Sequence, residues 1–189
     1  MKKVAVIYRT SDNQEVIKYL KDSLESIFEN YIIVENYYLQ ELTGSFKIDA
    51  DAYILTEETM LYPLKERITN YNNIIFMYRS IRKKQLDEVS QIPKGTNVLV
   101  INDTYETAVQ TLCSLYELGI SHINLVPFDP NDADNFIYRD FKVCITPNEV
   151  HLVPNYIKKI INIGYREVSF DTKFSTTHQI NCRTGYLYL

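Results

Sequence analysis

Val4-Ala5-Val6-Ile7-Tyr8-Arg9-Thr10 and Val98-Leu99-Val100-Ile101-Asn102-Asp103-Thr104 are two versions of one phrase. Each opens with four apolar, mostly β-branched residues and runs into polar residues ending in threonine. Such a run is too short for a buried helix and suits a strand covered on both faces, as in a parallel sheet. After each phrase the apolar residues recur at helical spacing: Val16, Ile17, Leu20, Leu24, Ile27 and Phe28 in the first half, Ala108, Leu112, Leu115 and Leu118 in the second. Strand, polar turn and amphipathic helix together make the opening of a β-α-β unit. Thr10, Ser11 and Asp12 are candidate caps for the first helix and Thr104 for the second, where Gly119 suits the C-terminal cap.

Working outward, further strands are expected over 31–34, 52–55, 74–78, 122–126 and 141–145, with a last one over 166–170. A helix is expected over 60–69, with Pro63 near its first turn. The stretch 150–163 reads as partly helical, with Pro154 at its start and Gly164 at its end. Ile54-Leu55-Thr56 and Cys144-Ile145-Thr146 stand at similar distances from the two opening strands, so the halves align as wholes. A structural duplication and the general likeness of any two β-α-β units both explain that. The expected architecture is α/β: two Rossmann-like lobes with parallel sheets flanked by helices and a cleft between them. The first lobe takes 1–80, a connector 81–96, and the second lobe 97–172, whose last segment can pack back on the first lobe. Residues 173–189 are linker or tail.

Composition narrows the function. The chain has 189 residues, and 20 Lys+Arg against 24 Asp+Glu leave a net charge of −4. A domain takes about 100–200 residues, so one domain or two small lobes fit. An acidic balance is poorly suited to nucleic acid, which calls for clustered positive charge. The five glycines include no Gly-x-Gly pair, so neither a dinucleotide loop nor a triphosphate loop is present. Cys113, Cys144 and Cys182 are odd in number and far apart, which offers neither a disulfide framework nor a zinc knuckle and suits the cytoplasm. The opening Met-Lys-Lys run is interrupted by Arg9, Asp12 and Glu15 and reads as a strand, not as a signal peptide. No run is long and apolar enough for a membrane span, and no cofactor or metal is expected.

In open α/β sheets, ligands bind beyond the carboxyl ends of the strands, where helix N-termini favour anions. The residues at those ends are Thr10, Ser11, Thr56 and Arg79 in the first half and Asp103, Thr104, Thr146 and Asn148 in the second. They form the candidate ligand-binding set, for a small polar or anionic molecule held between the lobes. Hydroxyls and carboxylates at such positions also serve as helix caps. Arg79 has no capping role and is the discriminating member. No catalytic residue is assigned. Cys144 lies within an apolar strand and reads as a buried, inert thiol.

Several phrases also resemble a known domain: Ile92-Pro93-Lys94-Gly95-Thr96, then Val98 to Asn102, Leu115-Tyr116-Glu117-Leu118-Gly119-Ile120 with His122, Leu125-Val126-Pro127-Phe128, Ile145-Thr146-Pro147-Asn148-Glu149, Leu152-Val153-Pro154 and Ile161-Asn162-Ile163-Gly164. Together they are similar to the amino-terminal sensory domain of sigma-54-dependent transcriptional activators, in particular the propionate-catabolism activators. The resemblance covers about 1–172 and is strongest over 92–164. It implies a two-lobed sensor for a small-molecule effector, whose partners are downstream PAS and ATPase modules of the same protein, with a homodimer as a further expectation. No effector-binding residue carries over from it. Two other functions fit the residues: a small α/β enzyme using Glu57 or Glu149 as base with Arg79 for substrate charge, and a dimerising interaction module.

The charge balance generates one direct test. The basic run at Arg79, Arg82, Lys83 and Lys84 is too short to release many counterions. In a gel-shift assay at physiological salt, the chain is expected to leave duplex DNA unshifted. A tight, sequence-selective complex overturns that expectation.

Overall fold

The computed structural model describes residues 1–28 and 31–181. In chain order its elements are β1 (Lys2–Tyr8), α1 (Gln14–Phe28), β2 (Ile32–Tyr38), β3 (Ala52–Leu55), α2 (Leu61–Leu64), β4 (Ile74–Phe76), β5 (Arg79–Ser80), α3 (Asp87–Ser90), β6 (Asn97–Val100), α4 (Tyr105–Glu117), β7 (Asn124–Pro127), β8 (Val143–Thr146), β9 (Lys159–Asn162), β10 (Glu167–Val168) and α5 (Phe170–Asn181). The chain divides into two compact units. Unit 1 is Met1–Arg79 with the chain from Glu167 onward, and unit 2 is Ser80–Arg166. The fold is α/β, with one four-stranded parallel sheet in each unit.

The two sheets share one strand order. In unit 1 it is β2-β1-β3-β4 and in unit 2 it is β7-β6-β8-β9. The opening phrases are therefore the equivalent interior strands β1 and β6. Ile54-Leu55 and Cys144-Ile145 lie in the equivalent neighbours β3 and β8. Val4 pairs with both Val34 and Ala52, and Val98 with both Leu125 and Val143.

An interior parallel strand must be apolar on both faces, and each sheet accordingly has two cores. In unit 1, Val4 and Val6 pack with Ile17, Leu20 and Leu24 of α1, while Ala5 and Ile7 pack with Tyr53, Leu55, Met60 and Leu64 on the other face. Ile17, Leu20 and Leu24 form one stripe at helical spacing. In unit 2, Val98 and Val100 face Leu115 and Ile145, while Leu99 and Ile101 face Phe128, Tyr138 and Cys144.

The boundaries differ from the sequence expectation in several places. The connector expected over 81–96 is part of unit 2, because Ile81, Leu86, Val89 and Ile92 are buried in its core. The second lobe ends at Arg166 and not at 172, and the last segment packs back on the first lobe as the expectation allowed. From Glu167 the chain returns to unit 1, where β10 pairs with β5 and Val168 is buried. The expected tail is α5 up to Asn181, and its remainder, 182–189, lies outside the described residues.

The hydrophobic pattern does not mark that helix, because its inward stripe is Thr172, Thr176 and Ile180, two polar residues out of three. Both threonines are buried with their hydroxyls engaged. The Tyr78 N–H donates to Thr172 Oγ1 at 2.8 Å, and the Thr176 hydroxyl donates to the Thr172 carbonyl at 2.7 Å.

The helix expected over 60–69 is only the short α2. Beyond it Ile68 bridges to Ile48, and the Arg67 carbonyl accepts the Ile48 N–H at 2.7 Å. The partly helical reading of 150–163 gives way to a 3-10 turn over Val150–Leu152 and the strand β9, whose Lys-Ile-Ile-Asn run is β-branched at its centre. Asn13 caps α1, in place of Thr10, Ser11 or Asp12: its Oδ1 accepts the Val16 N–H at 3.2 Å. Thr104 caps α4 as expected, and Gly119, at φ +87°, donates its N–H to the Tyr116 carbonyl at the helix end.

One buried phenol organises the loop before β3. The Tyr53 hydroxyl donates to the Ile48 carbonyl at 3.0 Å, accepts the Ala50 N–H at 3.1 Å and meets the Thr69 hydroxyl at 2.6 Å. Tyr53→Phe keeps the ring and leaves the Ala50 N–H and Ile48 carbonyl unmet in a buried site. The expected loss of stability is about 1–3 kcal/mol, measured by urea unfolding, with faster hydrogen exchange at Ala50. An unchanged midpoint would show that the loop does not depend on this hydroxyl.

Candidate functional site

Strand order reverses on either side of β1 in unit 1 and of β6 in unit 2, which places a topological switch point at the carboxyl end of β1/β3 and of β6/β8. The eight predicted residues divide between the units. Thr10, Ser11, Thr56 and Arg79 lie at the carboxyl edge of the first sheet, and Asp103, Thr104, Thr146 and Asn148 at that of the second.

In unit 2, local hydrogen bonds occupy all four. Asp103 accepts the Thr104 N–H at 3.0 Å and the Thr107 hydroxyl at 2.5 Å. Thr104 Oγ1 accepts the Thr107 N–H at 3.2 Å, closing a capping box. Beneath them Asn102 is buried, its amide donating to the Thr107 carbonyl and the Thr111 hydroxyl, both at 3.2 Å. Thr146 is fully buried and its hydroxyl accepts the Glu149 N–H at 3.1 Å. Asn148, at φ +73°, exchanges two hydrogen bonds with Asn162 at 2.9 and 3.1 Å, tying the loop after β8 to the end of β9. These bonds set the shape of the edge. The buried Glu149 carboxylate stands 3.6 Å from His151 Nδ1.

Unit 1 differs. Thr56 is again structural, its hydroxyl donating to the Ile7 carbonyl at 3.1 Å. Thr10 Oγ1 accepts the Asp12 N–H at 3.4 Å, and the Ser11 carbonyl accepts the Gln14 side-chain amide at 2.7 Å. At the switch point itself lies an ion pair. Arg9 brings Nε and Nη2 to one oxygen of Glu57, at 2.9 and 2.5 Å, and Nη2 also donates to Thr59 Oγ1 at 2.8 Å. A guanidinium forked on a carboxylate is the geometry by which proteins hold anions. Here the anion is the protein's own.

The opposite face of the same edge carries Tyr8, Asn36, Tyr38 and Arg79. Alternation places Tyr8 on the face of Val4 and Val6, Asn36 and Tyr38 on that of Ile32 and Val34, and Arg79 two residues beyond Met77, which is buried in the same core. The Tyr8 and Tyr38 rings lie 6.1 Å apart, tilted by 36°. Burial raises the Tyr8 phenol well above its ordinary value, with Tyr38 adding to the rise and the Arg79 cation opposing it. Arg79 therefore stands close enough for its charge to act on the phenol.

The sequence reading singles out Arg79 and misses its surroundings. Tyr8 reads as the end of a buried strand. Asn36 and Tyr38 fall outside a second strand expected to stop at 34. A polar Asn36 at an inward position of the Ile-Ile-Val-Glu-Asn run is the available signal. Neither fold nor edge geometry names an activity, and comparison of the chain with family models, curated proteins and solved structures gives no match. No helix among the described residues is long and apolar enough to cross a membrane.

Cys144, which faces the second core of unit 2, has its thiol pushed up to about 12 by burial. At pH 8 only about one such thiol in ten thousand is ionised. Iodoacetamide applied to the folded protein is expected to alkylate the exposed Cys113 and to spare Cys144, as read by peptide mass mapping. Comparable labelling of both would show an accessible, reactive Cys144.

Proposed function

We propose that the chain is the effector-sensing region of a sigma-54-dependent transcriptional activator in the cytoplasm, binding a small polar or anionic molecule to control a downstream ATPase module. The sequence phrases over 92–164 support the class, and the two α/β units of identical strand order suit a ligand-responsive scaffold. The observation that carries the reading is Arg79 at the carboxyl edge of unit 1, on the face that also presents two tyrosines and an asparagine. The corresponding predicted residues of unit 2, Asp103, Thr104, Thr146 and Asn148, include no cation. Unit 1 is thus the better-equipped half for an anionic effector.

A sensor converts binding into a shift between two states, and the shift is limited by how differently the ligand binds them. A cationic side chain at the junction of β4 and β5 suits this, because β5 is where the chain leaves unit 1 and β10 is where it returns. A ligand bound through Arg79 acts on both crossings. A coding region that continues beyond residue 189 into an ATPase module would support the class directly, and a different neighbour would remove it.

Thermal-shift screening of polar and anionic metabolites, followed by calorimetry, tests the reading. Arg79→Ala is expected to weaken the binding of a stabilising compound by about 1.5–3 kcal/mol, the range for a hydrogen bond to a charged group, with an unchanged circular-dichroism spectrum. Equal affinity in the variant takes Arg79 out of the site. A broad screen with no stabilising compound overturns the sensor reading.

A further inference from the structure

β1 and β2 run side by side in register, with Val6 opposite Asn36 and Tyr8 opposite Tyr38. Tyr8 is 6% exposed, and its hydroxyl is closed off from solvent without a hydrogen-bond partner among the described residues. The same holds for Oδ1 of Asn36, on the neighbouring strand two residues before Tyr38. Buried polar atoms in native proteins nearly always find partners, because an unmet donor or acceptor keeps its full desolvation cost. A lone case is unremarkable. Here a donor and an acceptor lie on one face of the adjacent strands β1 and β2, toward the carboxyl edge where α/β sheets receive ligands. The Tyr38 ring walls the spot on one side, and the Arg79 cation acts on it from the β4 end.

The chemistry of the three groups is complementary to one kind of ligand. A phenol that burial holds in its protonated form meets an anion as a donor. A guanidinium supplies further donors and the opposite charge. An amide oxygen accepts, so it requires a ligand O–H or N–H.

We propose that Tyr8, Asn36 and Arg79 form the recognition set for a small oxyanion that also carries a hydrogen-bond donor. Tyr8 and Arg79 donate to the anionic oxygens, and Asn36 Oδ1 accepts from the ligand's hydroxyl or ammonium group. The inference rests on the reading of unit 1 as the effector-binding half and specifies what that half selects. A carboxylate and a phosphate share the required oxygens.

The test uses the whole chain and its variants Tyr8→Phe and Asn36→Leu, both close to isosteric. Acetate, glycolate and inorganic phosphate serve as probes at constant ionic strength, with chloride as the control. Binding is read by thermal shift and calorimetry. Without any probe, Tyr8→Phe is expected to melt at or above the wild-type temperature, since it removes a hydroxyl that has no partner among the described residues. With the best anion, its affinity falls at least fivefold. Glycolate binds wild type more tightly than acetate, and Asn36→Leu abolishes that difference. Phosphate binding more tightly than glycolate assigns a phosphate ligand, and the reverse assigns a carboxylate. A Tyr8→Phe variant that melts well below wild type shows the phenol bonded within the protein and overturns the inference. Probe binding that both variants retain in full overturns it too and leaves the sensor reading standing. A wild type that answers none of the three probes overturns it as well, and the metabolite screen then decides the sensor reading separately.

Discussion

The backbone ladders that hold β1 between β2 and β3, and β6 between β7 and β8, are the constraint on which everything else depends. A parallel strand in the interior of a sheet has no face to give to solvent. Each of its side chains must be covered, one set by the next helix in the chain and the other by a second layer. Val4 and Val6 call for α1, and Ala5 and Ile7 call for Met60 and Leu64. The strand passes out of this cover at its ends, at Lys2, Lys3 and Asn97 on the amino side and in the polar residues from Arg9 and Asp103 on the carboxyl side. Where the two cores stop sets the location of any ligand site.

At that boundary most of the polar residues serve the fold. A chain that leaves a strand and starts a helix exposes backbone N–H groups that need acceptors, and short oxygen-bearing side chains supply them. Asn102 accepts the Asp103 N–H, Asp103 the Thr104 N–H and Thr104 the Thr107 N–H at the start of α4, and Thr146 accepts the Glu149 N–H after β8. Residue type and position alone therefore do not separate a cap from a ligand contact. Hydrogen bonding does: once the capping bonds are assigned, unit 2 has its edge residues tied down, and unit 1 retains a phenol and an amide oxygen without partners among the described residues. The Arg9–Glu57 pair shows the same principle in ionic form, since a guanidinium well suited to an incoming anion is already turned onto a neighbouring carboxylate.

The return of the chain to unit 1 makes the units topologically interdependent. β10 and α5 complete the core beside α1, so unit 1 is finished only after unit 2 has been threaded. Thr172 takes the Tyr78 N–H, and the Ser169 N–H reaches the Tyr78 carbonyl at 2.8 Å, which fastens the outgoing strand to the incoming one. The chain therefore crosses between the units twice, after Arg79 and before Glu167.

The sequence by itself determined the fold class and showed the likeness of its two opening phrases. Four consecutive apolar, mostly β-branched residues running into polar ones leave a strand buried on both faces as the only economical reading, and the helical spacing after each sets the crossover. It also made Arg79 a candidate, because a cation beyond a strand has no part in capping. Tertiary structure decided the rest. The membership of 81–96 in unit 2 depends on four scattered apolar residues finding a distant core. The identity of α5 depends on buried threonines whose hydroxyls are satisfied by the backbone, which no hydrophobic pattern records. Tyr8 and Asn36 share a face because β1 and β2 pair in parallel, and Arg79 comes to the phenol from β5, beyond the end of β4. Register across a sheet, and the partners each polar atom finds there, arise only when the strands meet.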